Sequence, residues 1–225
     1  MPTVNLNAVQ ATLVQRLRDS RSKKVVFLSH CLLNENTRYL GGACRSGCIR
    51  EIVEQCLDHD LGIVQMPCPE QRAWGGVLKR FLLMGYGLKW QYPLAYRLRG
   101  LLVPAGLLFT RLVYRRLARE VAGQIEDYIT SGFSVVGIVG IDGSPSCAVK
   151  RTPDFRKLDM LFSTPVETVT ADSQNASLQE NLLAGRGIFV DELQKEVRRK
   201  GIEIPFQAHD LMAELNGEKS NVKFL

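Results

Sequence analysis

The sequence predicts an α/β fold: an open, mostly parallel sheet of about four strands with helices on both faces, as in Rossmann-like three-layer domains. Three observations predict it. Short apolar, β-branched runs alternate along the chain with segments of helical period. The apolar runs lack polar alternation, which is typical of strands covered on both faces. The order strand, helix, strand, helix, strand, helix, strand indicates parallel pairing through helical crossovers.

The first half of the chain supplies two of these strands. Residues 5–20 predict a short amphipathic helix, and KVVFLSH (24–30) predicts a buried strand. LGIVQMP (61–67) predicts the second strand. The segment 45–60 between them predicts a helix, because one face collects its apolar residues, namely Ile49, Ile52, Val53, Cys56 and Leu57.

The second half continues the same alternation. The predicted elements are a helix over 111–132, a strand over 133–141, a helix over 190–201, a strand over 202–206 and a short C-terminal helix near 209–215. Gly132 and Gly201 end the two longer helices. GRGIF (185–189) is glycine-rich but lacks the full dinucleotide-binding pattern, so we interpret it as a loop.

Composition favours one globular α/β domain over residues 1–225. The chain is 45% hydrophobic and carries a formal net charge of +6, which favours an anionic partner without identifying it. The N-terminal region has no apolar core of the signal-peptide type. The most apolar stretch, 100–113, is shorter than the ~20 residues of a membrane span, and Pro104 interrupts it. We therefore expect a soluble, cytoplasmic protein with no transmembrane segment; the oligomeric state is not predicted.

Residues 79–119 differ from the rest of the chain. They contain nine Lys or Arg and no Asp or Glu, with aromatic residues and leucines interleaved. This pattern indicates an insertion between the second strand and the long helix. It fits a lid, a nucleic-acid groove or an interfacial membrane surface, and we favour the lid over an extended nucleic-acid site.

Three of the six cysteines follow predicted strands. Cys31 comes after the first strand, Cys68 after the second and Cys147 after the third. Ligands of open parallel sheets bind beyond the carboxyl ends of the strands, so these thiols should converge if the strands are neighbours. Thiolates prefer zinc, cuprous copper or iron–sulfur clusters, and three protein ligands leave one coordination position open for catalysis.

The other cysteines and the histidines suggest less. Cys56 lies on an apolar helix face and is interpreted as core. Cys44 and Cys48 form a CxxxC pair that could bind metal, although we favour an incidental spacing. Among the histidines, His30 should point away from Cys31 if both continue the strand, and His59 should lie at a helix end. His209 could reach the site from the C-terminal region, but no pattern requires it.

Three motifs together resemble those of the thiouracil desulfidase-related family. They are CLLNENTRYLGGA (31–43), PCPE (67–70) and GSPSC (143–147), within a similar core of about 24–150. The resemblance implies a [4Fe-4S] cluster held by Cys31, Cys68 and Cys147, with one iron not ligated by protein. It implies removal of sulfur from a thiocarbonyl compound, with water supplying the oxygen. This chain departs from the commoner members at CLLN and Thr37-Arg38-Tyr39, and in its basic insertion and long C-terminal part, and thus resembles a divergent, longer branch.

The expected activity is non-redox hydrolysis of a thiolated small molecule or nucleobase, in which Glu70 is the first candidate for the general base. A helix N-terminal carboxylate is its alternative role. Asp142, Ser144 and Ser146 could hydrogen-bond substrate or water, or simply serve the turn. Asn34 and Arg38 could hold a polar or anionic group of the substrate, and Arg38 could equally be a surface residue.

Two other classes of function compete with the enzyme. One is a non-catalytic zinc- or persulfide-binding carrier or sensor of sulfur, with zinc in place of the cluster. The other is an RNA-binding protein that uses residues 79–119.

Overall fold

A computed structural model describes residues 6–154 and 157–224, without the side chains of residues 158 and 159; residue 5 of the predicted N-terminal helix lies outside this part. The main sheet has four parallel strands in the order β2-β1-β3-β6. A smaller antiparallel pair is formed by β4 and β5. The strands are β1 (Lys24–Leu28), β2 (Gly62–Gln65), β3 (Ser134–Asp142), β4 (Arg151–Pro153), β5 (Leu182–Ala184) and β6 (Phe206–Asp210). The predicted parallel α/β fold is confirmed.

The helices differ greatly in length, from single turns to 32 residues. They are α1 (Ala8–Arg16), α2 (His30–Leu33), α3 (Arg50–Asp58), α4 (Pro69–Ala73), α5 (Arg80–Leu83), α6 (Leu88–Gln91), α7 (Pro93–Arg97), α8 (Arg99–Thr130), α9 (Leu158–Ser163), α10 (Ala171–Glu180), α11 (Ile188–Arg199) and α12 (Leu211–Leu215). Short 3-10 turns cover Glu35–Thr37 and Val166–Thr168. In the described part of the chain, no helix combines the length and apolar character needed to cross a bilayer.

The strand connections leave the two central strands in opposite directions. From β1 the chain passes through α3 to β2, and from β3 it passes through α11 to β6 on the other side. Parallel crossovers are right-handed, so α3 covers one face of the sheet while α8 and α11 cover the other. The carboxyl ends of β1 and β3 are therefore a topological switch point, where open α/β sheets bind their ligands.

The last strand of the sheet is displaced from its predicted position. The predicted bounds of this strand, 202–206, were wrong, because pairing with β3 begins at Phe206 and runs to Asp210. Ile202 is instead buried in the core beside the end of α11, and Pro205 accepts a hydrogen bond through its carbonyl from Ile138. Pro205 has no N–H to donate, so a strand that contains it in its interior could not complete its ladder of hydrogen bonds.

The long helix α8 starts at Arg99, twelve residues before its predicted start. Pro104 lies inside it and removes one backbone hydrogen bond without ending the helix. At 32 residues, α8 is about 48 Å long, whereas the nine-residue strand β3 spans about 30 Å. Because α8 runs antiparallel to β3, its N-terminal third projects beyond the carboxyl edge of the sheet. Accordingly, the first buried residue along α8 is Thr110.

Candidate active site at the carboxyl edge of the sheet

One cavity beyond the carboxyl ends of the strands is lined by all three strand-end cysteines. Cys31 is the second residue of α2, directly after β1; Cys68 precedes α4; and Cys147 lies in the loop after β3. The described residues nevertheless contain no group of three His, Cys, Asp or Glu side chains arranged as ready-made ligands of a metal ion. The structure thus brings the thiols to one cavity without a preformed mononuclear site.

A second cavity is more open and lies at the opposite edge of the sheet. Its walls come from the end of α11 and the approach to β6, including Arg198, Glu203 and Phe206. No cysteine or histidine lines it. The first cavity is therefore the better candidate for an active site, since it lies at the switch point and gathers the nucleophilic and metal-binding side chains.

Burial raises the pKa of each of the three thiols. The pKa of Cys31 rises to about 12, mainly through desolvation, with the positive charge of Arg38 acting in the opposite direction. The pKa of Cys68 rises to about 11 through desolvation and the nearby Glu70 carboxylate. Burial and the proximity of Cys31 also raise the pKa of Cys147. Because their pKa values are raised, all three thiols are protonated near neutral pH in the absence of a bound cation or cluster. Binding of a cation or cluster would require them to lose these protons.

The loop 143–147 is fixed by contacts of its own backbone. The Ser144 hydroxyl accepts hydrogen bonds from the backbone N–H groups of Ser146 (3.2 Å) and Cys147 (3.1 Å). A Cβ on Gly140 would lie 2.2 Å from the carbonyl oxygen of Cys147, and one on Gly187 would lie 2.4 Å from Ser146. Both glycines are required because a strand and a helix N-terminus approach this loop at backbone distance. The segment interpreted as a plain loop, 185–189, thus includes the start of α11 and supports the third cysteine.

Glu70 is buried at the cavity and makes contacts on both carboxylate oxygens. Oε1 accepts hydrogen bonds from Ser146 Oγ at 2.8 Å and from Ser144 Oγ at 3.3 Å. Oε2 pairs with Lys79 Nζ at 3.0 Å. Lys79 also donates to the carbonyl oxygen of Thr37 at 2.6 Å and is itself 2% exposed. The carboxylate is thereby held against the hydroxyl that neighbours Cys147, since Ser146 Oγ lies 3.5 Å from the Cys147 sulfur.

Arg38 lines the cavity and is buried rather than exposed. Its Nη2 pairs with Glu214 at 2.8 Å and with Glu35 at 3.3 Å, and its Nη1 donates to the carbonyl oxygen of Gly42. Nε makes no hydrogen bond within the described residues. The surface role considered for Arg38 is therefore wrong, and its guanidinium is held beside Cys31 by two buried carboxylates.

This acidic and basic cluster continues behind the cavity. Arg45 pairs with Glu35, Glu51 and Glu214. His209 contacts Glu214 through Nε2 at 2.8 Å, so it joins the cluster that holds Arg38 and is not itself a cavity residue. The cluster is formed by the loop after β1, by α3, by β6 and by α12, and it ties the loop that carries Cys31 to the C-terminal part of the chain.

Two further candidates serve the backbone instead of the cavity. The Asn34 side chain accepts the N–H of Asn36 and begins the 3-10 turn. Asp142 Oδ1 accepts N–H bonds from Val149 at 2.9 Å and Lys150 at 2.8 Å, which closes the turn after β3. Neither residue lines the cavity. Their positions match the local turn chemistry of Asn and Asp.

The histidines and remaining cysteines are placed differently from one another. His30 begins α2 and lines the cavity with Cys31, so the expectation of a continuing strand was wrong at this point. His59 is exposed at the end of α3, as predicted. Cys56 is fully buried in the core, as predicted. Cys44 is exposed and Cys48 half-buried.

Sequence reasoning missed two residues next to the site. Lys79 was counted only among the basic residues of the insertion, although its buried amine pairs with Glu70. Tyr114 of α8 is fully buried, and its hydroxyl has no hydrogen-bond partner within the described residues. Burial raises the pKa of Tyr114, and Glu70 and Cys147 add to this effect. Ser146 is near enough to lower the pKa of Tyr114. The hydroxyl proton of Ser146, however, is donated to Glu70 and not to the Tyr114 oxygen.

Comparison with known proteins gives a match over part of the chain. No family model matches the sequence, and no solved structure matches the chain. A 50-residue segment is 38% identical to an uncharacterized protein of Methanocaldococcus jannaschii. That segment makes up 22% of this chain and 32% of the archaeal protein, so the chain matches about a third of the relative's length.

Proposed function

We propose that this protein is a [4Fe-4S]-dependent desulfidase that removes sulfur from a thiocarbonyl-containing small molecule or thiolated nucleobase by hydrolysis. The observation that carries the proposal is the shared cavity of Cys31, Cys68 and Cys147 at the switch point of the sheet. The resemblance of the three cysteine motifs to the desulfidase-related family supports the choice of cofactor.

The donor set suits such a cluster. Three thiols from three separate loops reach one cavity, and thiolate sulfur is the usual protein ligand of iron–sulfur clusters. Arg38 offsets the negative charge of a thiolate at Cys31, as its effect on the Cys31 pKa indicates. When bound through these three cysteines, the cluster supplies an iron without a protein ligand, which acts as a Lewis acid toward the thiocarbonyl sulfur.

Glu70 is the residue best placed to move a proton. Its Oε1 faces the hydroxyl groups of Ser144 and Ser146 at the cavity wall, while Lys79 pairs with Oε2. We assign Glu70 as the base that takes a proton from the attacking water, with Ser146 orienting its carboxylate. Lys79 keeps this carboxylate fixed and partly offsets its charge.

Anaerobic purification tests the cofactor. We expect a brown, oxygen-sensitive protein with four irons and four sulfides per chain, as the proposed cluster type requires. Ala in place of Cys31, Cys68 or Cys147 should abolish the chromophore, whereas the matched control Cys56→Ala, in the core, should keep it. Stoichiometric zinc with no iron would overturn the cluster and leave a zinc-binding carrier or sensor.

Sulfide release tests the activity. Loaded protein is incubated with a panel of thioamides and thiopyrimidines, and free sulfide is measured. Glu70→Gln should retain the chromophore but lose turnover by about a hundredfold or more, the range typical of a lost general base. A loaded protein that releases no sulfide from any member of a broad panel contradicts the enzymatic proposal.

A further inference from the structure

The positive charge of the protein is concentrated in one segment. Residues 79–119 hold nine of the 29 Lys and Arg residues and none of the 23 Asp and Glu residues. The remainder of the chain therefore has 20 basic and 23 acidic residues and is slightly acidic. The net positive charge of the protein therefore comes from this segment, which makes it the first candidate surface for an anionic partner.

The same segment exposes a continuous apolar face. From the N-cap residue of α8 to its fourth turn, six large apolar side chains are at least half exposed, and we call them the leucine stripe: Leu98, Leu101, Leu102, Leu108, Phe109 and Leu112. At 100° per residue these positions fall within an arc of about 120°. The buried residues of α8, such as Thr110, Tyr114 and Leu117, lie on the opposite side. The helix is thus apolar on its outer face as well as on its core face.

The stripe is larger than a typical exposed patch. Leu101 alone is 72% exposed, and the six side chains together expose roughly 600 Å², at the upper end of what monomeric proteins leave in water. The preceding short helices add exposed Phe81, Trp90 and Leu94. An apolar surface of this size indicates a docking face.

Unpaired cations lie in the segment that leads into the stripe. Arg80, Lys89 and Arg97 are exposed and make no ion pair within the described part of the chain. The Lys89 amine lies 5.1 Å from the ring centre of Trp90. The arginines further along α8 differ, because Arg111 and Arg119 pair with acidic residues of α11. Within residues 79–119, these unpaired cations therefore precede α8, whereas the arginines of α8 from Arg111 onward are paired.

The chemistry of this face distinguishes between occupants. Nucleic acid would be bound by stacking on aromatic rings, whereas the stripe is mainly leucine. A second copy of the chain would bring the same unpaired cations to the same interface. An anionic bilayer satisfies both features, since leucine side chains enter the acyl boundary while Lys and Arg meet lipid phosphates and Trp lies at the headgroup level.

We propose that the leucine stripe of α8, together with Lys89, Trp90 and Arg97, docks the protein on the surface of an anionic lipid bilayer. The N-terminal third of α8 then lies in the interface without crossing it, as an amphipathic interfacial helix does, while the rest of α8 stays in the protein core. The projecting third of α8 stands at the carboxyl edge of the sheet, so docking places the cysteine cavity on the membrane-facing side. Docking needs no cofactor and stands apart from the desulfidase proposal.

Co-sedimentation with vesicles tests the proposal on the full chain. We expect binding to vesicles of phosphatidylcholine and phosphatidylglycerol in equal parts, weaker binding at raised salt, and little binding to phosphatidylcholine alone. The double variant Leu101→Gln/Leu108→Gln should weaken binding about tenfold or more, because two side chains no longer enter the acyl boundary. Lys89→Gln/Arg97→Gln should weaken binding to the anionic vesicles by a similar factor.

The matched control is Leu57→Gln, which changes an exposed leucine of α3 away from the segment and should bind as the unchanged protein does. All five substituted positions are exposed, so the variants should fold, and circular dichroism checks this. Absence of binding to the anionic vesicles overturns the proposal. A dimer that forms without lipid and dissociates in Leu101→Gln/Leu108→Gln also overturns the proposal, since a second copy then covers the stripe. Tight RNA binding that is lost in the same variant overturns it as well.

Discussion

His209 makes the stability of this protein depend on pH in a direction that the structure defines. The residue is 1% exposed, with Nδ1 at 3.0 Å from Ser220 Oγ and Nε2 at 2.8 Å from Glu214 Oε2. Burial, and to a smaller extent the positive charges of Arg38 and Arg45, lower the pKa of His209 from 6.5 to about 4. Asp210 and Glu51 act in the opposite direction without reversing it.

The sign follows from proton binding in the two states. Above pH 6.5 His209 is neutral in both the folded and the unfolded chain, so it contributes no pH dependence. As the pH falls below 6.5, the unfolded chain takes up a proton that the folded protein excludes, and the free energy of unfolding decreases. The decrease ends below a pH of about 4, where both states are protonated. With a pKa of 6.5 in the unfolded chain and about 4 in the folded protein, the loss from this residue at about pH 4.5 is about 2–3 kcal/mol.

Urea unfolding at neutral pH and at about pH 4.5 measures this loss. His209→Gln keeps hydrogen-bonding capacity but cannot take up a proton, so its stability should decline less on acidification than that of the unchanged protein, by about 2–3 kcal/mol. Other titrating groups are common to both proteins and cancel. His59→Gln, at an exposed helix end, is the control and should follow the unchanged protein. Equal acid losses in the His209→Gln and unchanged proteins would refute the assignment of His209 as a buried neutral side chain.

Three further substitutions probe the site and its supports. Lys79→Met should lower the free energy of unfolding by about 3–5 kcal/mol, because it leaves the Glu70 carboxylate buried without its cation. Adding Glu70→Gln should restore more than half of this loss, as measured by urea unfolding. Tyr114→Phe removes a buried hydroxyl without a partner, so its stability should stay within about 1 kcal/mol of the original, and a larger loss would mean that the hydroxyl is bonded. Gly187→Ala should cost about 2–4 kcal/mol in thermal unfolding, because its Cβ would clash with the loop 143–147 at Ser146. The control Gly123→Ala, in open space on α8, should be neutral or stabilising. A tolerated Gly187→Ala would contradict the close approach of Gly187 to Ser146.

The sheet was predictable because its strands carry their own signal. Continuous β-branched runs such as 24–28 and 134–142 are required by burial on both faces, and their alternation with helices leaves parallel pairing as the natural outcome. The register of β6 was not predictable, because the apolar residues at 202 and 204 pack outside the ladder. The strands β4 and β5 were missed, since each has only three residues and their pairing joins distant segments.

The site was predictable where the topology alone places a residue. Residues that directly follow parallel strands must lie at one edge, which is why the three cysteines, Glu70 and Ser146 line one cavity. Lys79 and Tyr114 come from the segment between β2 and β3, and no local pattern shows which of its many basic and aromatic residues turns inward. The burial of Arg38 depends on Glu214, which is distant in sequence, so a single sequence could not reveal it.

The length of α8 has a geometric consequence. One uninterrupted helix is anchored in the core by its C-terminal two thirds and carries its N-terminal third outside it, and Trp74 of the α4 segment is hydrogen-bonded to it at Thr110. No hinge loop separates the two parts. Any surface that holds the outer third therefore fixes the tilt of the whole body, and the opening above the three sulfurs keeps a constant angle and height relative to that surface.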